Sequence, residues 1–341
     1  MRDYNNQLLI FVKLKIDSNV IKLSFIIPVY NAEAYLERCI QTLYMQDIYE
    51  EDFEVIMVND GSTDNSFTIA QKIANEHKNI KLFTQENQGS SVARNIALNN
   101  ANGKFVSFID SDDFLIPYTL KNVLEIAEKN LIDICSFKLI VQTPVGDKLG
   151  SEQNLPKLKV MTGEDAIVKG VNFWSVCSSI FSLDFLNQHN IRFTNGIISQ
   201  DSEFNMRVYP LAKRVIFTDI ISYYYFDNVT SATKSKDYKK VLKKIESLVY
   251  IANSTKQVAS LLKSPFLRNN YIQRSNSMVI GLLKLLIGNP YSLSKNTKRD
   301  IFEMIKEKKI YPIKGGTLSW KSSLLLPIFN NEILIKAMLQ I

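Results

Sequence analysis

Between Leu23 and Phe137 the chain alternates two textures, a continuous apolar run and then an apolar stripe at helical spacing. Leu23–Tyr30 is a strand-like run that ends at Pro28–Asn31, and Leu36, Ile40 and Leu43 then recur at the spacing of one helix face. Phe53–Val58 is a second strand, followed by turn residues at Asn59–Ser62 and by a helix marked by Phe67, Ala70, Ile73 and Ala74. Ile80–Phe83 is a short third strand. Ser90–Asn100 is a third helix, with Ala93 and Ala97 permitting close packing. Gly103 ends that unit, and Phe105–Ile109 is a fourth strand. Strands that read as unbroken apolar runs are buried on both faces, so this order predicts an α/β fold with a mostly parallel sheet flanked by helices.

From about Tyr238 the texture becomes helical throughout. Val241, Ile245, Leu248, Val249 and Ala252 form one stripe. Tyr271, Ser275, Met278, Val279, Leu282 and Leu283 form another, closed by Gly288–Asn289–Pro290, and Ile301, Phe302 and Ile305 suggest a third. The tail, Trp320 to Ile341, is apolar with Lys321 and Lys336 interspersed and is broken by Pro327. The expected organisation is an extension over residues 1–22, an α/β domain over 23–235 and a C-terminal helical domain over 236–341. The tail suits either a membrane interface or packing against the first domain.

Composition narrows the function classes. The chain has 341 residues, 46% hydrophobic and 22% charged, which is enough for two globular domains with a real core. Its net charge of +7 fits nucleic acid, an anionic membrane face or phosphorylated substrates, and equally an ordinary basic surface. No nucleic-acid-binding module is visible, so nucleic acid is not expected as a partner. The three dispersed cysteines, Cys39, Cys135 and Cys177, are not a disulfide framework; they suit buried thiols and a reducing cytoplasm. The only histidines, His77 and His189, sit in no recognisable motif, which argues against a Ser–His–Asp hydrolase or a histidine-rich zinc site. No signal peptide and no apolar run near the ~20 residues of a membrane span is evident.

The candidate chemistry lies at strand ends, where ligands bind in open α/β sheets. Asn31, Asp60 and Asp110 each fall there. Asn and Asp also cap helices and build turns, which accounts for one such position more easily than for three. Asp110–Ser111–Asp112–Asp113 crowds three carboxylates at the end of an apolar strand, and carboxylates this close repel and raise one another's pKa unless a cation neutralises them. An oxygen-only donor set without His or Cys selects Mg²⁺ or Mn²⁺, and Mg²⁺ takes its remaining ligands from phosphate and water. In Asn59–Asp60–Gly61–Ser62–Thr63–Asp64 the aspartate can accept from a base or ribose, with Ser62 or Thr63 capping the next helix. Gly89 precedes a helix start with Arg94 one turn in, placed to hold Asp60 or a phosphate.

The ordered series Phe25–Ile26–Ile27–Pro28–Val29–Tyr30–Asn31, Val58 to Asp64, Gly89 to Asn95 and Asp110 to Asp113 resembles the family 2 glycosyltransferases, whose nucleotide-sugar-binding fold is called GT-A. The resemblance is close from residue 23 to about 117. It implies an inverting, metal-dependent transfer of a sugar from a nucleotide-diphosphate donor, taken as a UDP-sugar, to a hydroxyl on a glycan or lipid-linked glycan in cell-surface polysaccharide synthesis. It also implies that Pro28, Tyr30, Asn31 and Asp60 line the nucleobase and ribose pocket with Arg94 supporting it, and that Asp110 and Ser111 meet the donor. Asp110 and Asp112 become the pair for Mn²⁺ or Mg²⁺, with Asp112 the more direct ligand. Asp201, in Ile198–Ser199–Gln200–Asp201–Ser202–Glu203–Phe204, takes the position of the catalytic base. Read without the resemblance, Asp201 is a carboxylate opening a helix.

Three departures from the family pattern stand out. Gln200 replaces a glutamate, Ser178–Ser179–Ile180–Phe181 stands where a lysine is usual, and the stretch from Tyr224 to Thr233 lacks an arginine for which Lys234 or Lys236 could substitute. They leave open a second reading, a nucleotide-sugar-binding subunit without turnover. A nucleotidyltransferase is disfavoured, because Pro28–Val29–Tyr30–Asn31–Ala32 is not a glycine-rich basic loop. The expected location is the cytoplasm, with the basic stretch after Ser231 and the apolar tail giving a possible contact with the inner face of the membrane.

Overall fold

The computed structural model describes residues 20–150, 155–171, 173, 175–226 and 237–341. In chain order its elements begin β1 (Leu23–Val29), α1 (Leu36–Leu43), β2 (Phe53–Asp60), α2 (Ser66–Glu76), β3 (Ile80–Gln85), α3 (Ser90–Asn99) and β4 (Phe105–Phe108). Then come β5 (Phe114–Leu115), α4 (Leu120–Lys129), β6 (Ile134–Val141), β7 (Lys148–Leu149), α5 (Gly163–Val168), β8 (Ser179–Ser182), α6 (Leu183–Gln188), α7 (Gln200–Val208) and β9 (Val215–Tyr225). The remainder is helical: α8 (Tyr238–Leu261), α9 (Pro265–Gly288), α10 (Lys295–Glu307), α11 (Trp320–Ser323), α12 (Leu326–Phe329) and α13 (Glu332–Leu339).

These elements form two compact units. The first holds one sheet in the order β3-β2-β1-β4-β8-β6-β9-β5, with β7 paired to β6. β3, β2, β1 and β4 are all parallel, and β6 is parallel to β9. β8 runs antiparallel to both β4 and β6, and β5 antiparallel to β9. The apolar runs read from the sequence are the parallel strands: every residue of β2 is buried, and all of β1 but Pro28. The register carries Leu23↔Phe53 through to Val29↔Asn59, Leu23↔Phe105 to Ile26↔Phe108 and Asp60↔Gln85. Asn31, Asp60 and Asp110 therefore all lie at the carboxyl ends of neighbouring strands, the edge at which α/β sheets hold ligands.

The opposite edge is tied by a buried carboxylate. Glu54, 2% exposed, accepts from Ser24 Oγ at 2.7 Å and from the Asn102 N–H at 2.6 Å, and pairs with Lys81 Nζ at 2.7 Å. Burial opposes its ionisation, but Lys81 and the two hydrogen bonds outweigh that and lower its pKa below the ordinary value. Cys39, Cys135 and Cys177 are all buried and no disulfide joins them, as their dispersal suggested.

The second unit contains α8 to α13 together with 164–171, 173 and 196–211. Its core joins Val241, Ile245, Val249 and Ala252 of α8 to Val279, Leu282, Leu283 and Leu286 of α9 and to Ile301, Phe302 and Ile305 of α10, the stripes anticipated above. Asp237 and Ser264 cap α8 and α9 by accepting from the Lys240 and Leu267 N–H groups, and α9 ends at Asn289 in the left-handed region (φ 46°). Segment 196–211 belongs here because α7 packs into the helices. Ser254 Oγ donates to Glu203 Oε1 at 3.0 Å, and Tyr271 Oη donates to the Met206 carbonyl at 2.9 Å. No helix among the described residues is long and apolar enough to cross a membrane.

Glu54→Gln removes a carboxylate that folding makes more acidic, so its stabilising effect is present above the ordinary value of 4.5 and is lost as pH falls through the lower folded value. The Tm of the variant should lie below that of the parent at pH 7, and the gap should shrink as pH is taken below 4.5. A constant gap would show that Glu54 does not act through its charge.

Candidate active site

The first strand end is fastened to the second. Asn31, held at φ 49°, accepts at Oδ1 from the Thr63 N–H at 2.8 Å, and its own N–H donates to Ser62 Oγ at 3.2 Å. The Ala32 N–H donates to Ser66 Oγ at 2.7 Å and the Glu33 N–H to Asp64 Oδ2 at 3.1 Å. Asp64, rather than Ser62 or Thr63, receives the Ser66 N–H at the start of α2. Ser62 and Thr63 serve the Asn31 turn instead. Pro28 is half-buried in β1, and Tyr30 is 48% exposed just beyond it, an aromatic face open to a planar ligand.

The second strand end is fastened to the third. Asp60 is 3% exposed; its Oδ1 accepts from Gln85 Nε2 at 2.6 Å and from the Gln88 N–H at 2.8 Å, and its Oδ2 accepts from the Gly89 N–H at 2.9 Å. Three of roughly four lone-pair positions on the carboxylate are thus filled by the protein. Gly61, at φ 69°, lies so close to this loop that a Cβ there would meet the Asn87 nitrogen at 2.7 Å. Gly89, at φ 91°, supplies the left-handed turn from which α3 starts.

α3 carries that restraint to the acidic loop. Arg94, 2% exposed, reaches Asp110 Oδ1 at 2.5 Å, with its guanidinium 5.2 Å from the centre of the Phe193 ring. The sequence placed Arg94 against Asp60 or a phosphate; in the fold it meets Asp110. Asp60 is linked to it through the loop that begins α3.

Beyond Asp110 the chain turns, with the Asp113 N–H donating to the Asp110 carbonyl at 3.0 Å. Asp113 is 1% exposed and accepts from Tyr223 Oη at 2.6 Å and from the Phe226 N–H at 2.8 Å. Tyr223 Oη in turn accepts from the Asp110 N–H at 3.2 Å. Arg38 of α1 donates from Nη2 to the Asp112 carbonyl at 3.1 Å and lies between two rings, 4.4 Å from the centre of Phe114 and 4.7 Å from that of Phe226. Burial, and then the charges of Asp110 and Asp112, push the Asp113 carboxyl well above its usual range. Burial first and the three aspartates next also raise the Cys39 thiol, whose Sγ donates to the Asp110 carbonyl at 3.7 Å. Asp110 and Asp112 are partly exposed, while Ser111 is 8% exposed.

Residues 24–185 match the family described as glycosyl transferase family 2. They are a family 2 glycosyltransferase domain. The uncharacterized glycosyltransferase EpsJ of Bacillus subtilis is 32% identical over 218 residues, which cover 62% of this chain and 62% of EpsJ. TarS of Staphylococcus aureus, a poly(ribitol-phosphate) β-N-acetylglucosaminyltransferase, is 27% identical over 262 residues, covering 74% of this chain and 44% of TarS. The chain thus spans less than two thirds of the length of either relative. In structure, TarS 1–349 in complex with UDP-GlcNAc superposes with a TM-score of 0.66 at 23% identity, over 93% of this chain and 88% of that one. The mannosyltransferase PcManGT of Pyrobaculum calidifontis, in complex with GDP-Man and Mn²⁺, gives 0.51 at 15% identity, over 92% and 87%. These likenesses establish the GT-A fold.

Of the residues expected in the family 2 site, Pro28, Tyr30, Asn31, Asp60, Arg94, Asp110, Ser111 and Asp112 all belong to the first unit and Asp201 to the second. Asp201 is partly exposed in the first turn of α7, after Ser199 at φ 64°. Its neighbour Glu203 is buried and held by Arg207 at 2.7 Å, which marks it as structural. Where a lysine is usual, Ser179 of β8 shares a hydroxyl–hydroxyl hydrogen bond of 2.8 Å with Ser136 of β6. Lys234 and Lys236 lie outside the described residues. No pattern along the chain pointed to Gln85, Arg38 or Tyr223. Asp113 stood in the acidic motif without a role of its own.

Tyr223→Phe strips one donor from the buried Asp113 carboxylate and the acceptor from the Asp110 N–H. Leaving buried polar groups unpaired costs about 1–3 kcal/mol. Urea denaturation should show a loss of that size; an unchanged midpoint would mean that the Asp113 network does not hold the loop.

Proposed function

We propose that this chain is a metal-dependent, inverting glycosyltransferase that moves a sugar from a nucleotide-diphosphate donor, a UDP-sugar in the first instance, to a hydroxyl of a cell-surface glycan or of its lipid-linked precursor at the cytoplasmic face of the membrane. The observation that carries this reading is the acidic loop at the strand ends of a family 2 domain, with Arg94 buried beneath Asp110. Relatives add support: TarS is named as a sugar transferase acting on poly(ribitol-phosphate) and has been seen with UDP-GlcNAc, and PcManGT with GDP-Man and Mn²⁺.

The donor set fits a hard divalent cation. Asp110 and Asp112 offer carboxylate oxygens, and the nearby Cys39 thiol is buried and turned to the Asp110 carbonyl. Among the described residues no group of three or more His, Cys, Asp or Glu is placed to hold a metal by itself, so phosphate and water would have to complete the shell. Mn²⁺ and Mg²⁺ at such sites take one or two carboxylates and complete their shell with phosphate and water. When bound, the cation supplies charge neutralisation for the departing diphosphate.

The protein's own part follows from its groups. Tyr30, Pro28 and Asn31 present the first strand end to the nucleoside, and Asp60 holds the adjoining loop in shape. Arg94 fixes Asp110 toward the diphosphate. Asp201 accepts the proton of the acceptor hydroxyl; that oxygen bonds to the anomeric carbon from the side opposite the diphosphate as the bond to the diphosphate breaks, which inverts the centre. Gln200, in place of the family's glutamate, offers an amide rather than a charge to the acceptor.

A thermal-shift screen of nucleotide sugars with Mn²⁺ should pick out one donor. With that donor, Asp201→Asn should lower turnover about 100-fold or more while leaving Mn²⁺-dependent UDP binding nearly unchanged, as expected for loss of a general base. Asp112→Asn, which spares the Arg94 pair, should weaken Mn²⁺-dependent UDP binding itself. Donor binding by the parent chain without hydrolysis or transfer of any donor would favour the silent-subunit reading.

A further inference from the structure

The C-terminal segment exposes apolar side chains at a density found nowhere else among the described residues. Leu318, Trp320, Leu324, Ile328, Ile333 and Leu334 are 53%, 69%, 68%, 41%, 84% and 40% exposed, six large apolar groups within 17 positions, whereas the other 16 such groups are spread over the rest of the described chain. The segment is nevertheless firmly docked. Phe329, Ile335 and Leu339 are buried in the helical core. Asn330 exchanges hydrogen bonds of 2.7 and 2.8 Å with the Ile313 backbone, and the Leu318 N–H donates to Ser277 Oγ at 3.0 Å. The outward side chains are therefore presented by an anchored scaffold. An aqueous surface gives them no stabilisation, and so dense an apolar display along an anchored segment marks an interaction site.

Charge decides the occupant. Residues 308–341 contain Lys308, Lys309, Lys314, Lys321 and Lys336 against a single acid, Glu332. That acid is neutralised twice, by Lys306 at 2.9 Å and Lys336 at 2.8 Å. Lys314 and Lys321 are exposed, and Lys321 Nζ lies 5.8 Å from the centre of the Trp320 ring. Tryptophan and aliphatic side chains flanked by lysines, with no uncompensated acid, are complementary to the boundary between anionic headgroups and acyl chains. A second copy of this chain would bring the same lysines face to face.

We infer that residues 314–334 form a docking face for an anionic phospholipid bilayer, into which Trp320, Leu324 and Ile333 insert while Lys314 and Lys321 meet the headgroups. The face lies on short helices that lie along a membrane surface rather than span it. It deepens the reading above by naming how the enzyme reaches a lipid-linked acceptor, and it rests on that reading for this consequence alone; vesicle binding itself needs neither donor nor turnover.

The full chain should co-sediment with vesicles of phosphatidylglycerol and phosphatidylcholine and much less with phosphatidylcholine alone. The doubly substituted Leu324→Ser/Ile333→Ser chain should lose about tenfold or more in partitioning. The Lys314→Glu/Lys321→Glu chain should lose its preference for the anionic lipid, which added salt should also abolish in the parent. All substituted positions are exposed, so the variants should keep the parent's Tm and its Mn²⁺-dependent response to UDP, which separates a failure of this face from a failure of the transfer reading. No binding to anionic vesicles, or binding indifferent to both substitutions, overturns the inference. So does a dimer by light scattering that Leu324→Ser/Ile333→Ser dissolves.

Discussion

A guanidinium held almost out of water beneath an acidic loop is the constraint around which the first unit is organised. Arg94 is 2% exposed and can stay charged there because Asp110 receives it. Asp110 in turn keeps its place because its N–H and its carbonyl are both used, by Tyr223 and by the Asp113 turn. Removing one partner of such a pair strands a buried charge, at a cost of several kcal/mol. The rest of the strand-end edge serves the same geometry. Asp60 fixes the loop that starts α3, and α3 delivers Arg94. The ends of β2 and β4, which flank β1 in the sheet, are thereby coupled through one helix.

The three carboxylates of the loop have different environments. Asp113 is consumed inside the protein, its ionisation opposed by burial and by its neighbours. Asp110 is half of an ion pair but keeps about a third of its side chain exposed. Asp112 is fixed through its backbone carbonyl by Arg38, itself wedged between Phe114 and Phe226. The partly exposed carboxylates of the motif are thus Asp110 and Asp112, while the third aspartate ties the loop to β9.

Much of this was legible in the sequence because it is local. Unbroken apolar runs gave β1 to β4, period-3.6 stripes gave α8 to α10, and Asn31, Asp60 and Asp110 were recognisable as polar residues just past apolar strands. What escaped depends on partners far apart in the chain. Tyr223 and Asp113 are 110 residues apart, and no pattern along the chain announces their hydrogen bond. The antiparallel insertion of β8 between β4 and β6 has no periodicity that distinguishes it from a parallel strand. Arg94 was noticed, but Asp110 was not foreseen as its partner, since a helix start near two aspartates does not say which one a long side chain reaches. The assignment of residues 196–211 to the helical unit depends likewise on α7 contacts that only the fold displays.

The most direct measurement is the affinity of the full chain for Mn²⁺, followed by the electron paramagnetic resonance signal of the free ion, with and without UDP. If the acidic loop holds a cation that it shares with a pyrophosphate, Mn²⁺ binds weakly alone and about ten to a hundred times more tightly once UDP supplies its phosphate oxygens. Equal Mn²⁺ affinity in the two conditions, or UDP binding that ignores the metal, would contradict the shared-cation account and with it the role given to Asp110 and Asp112.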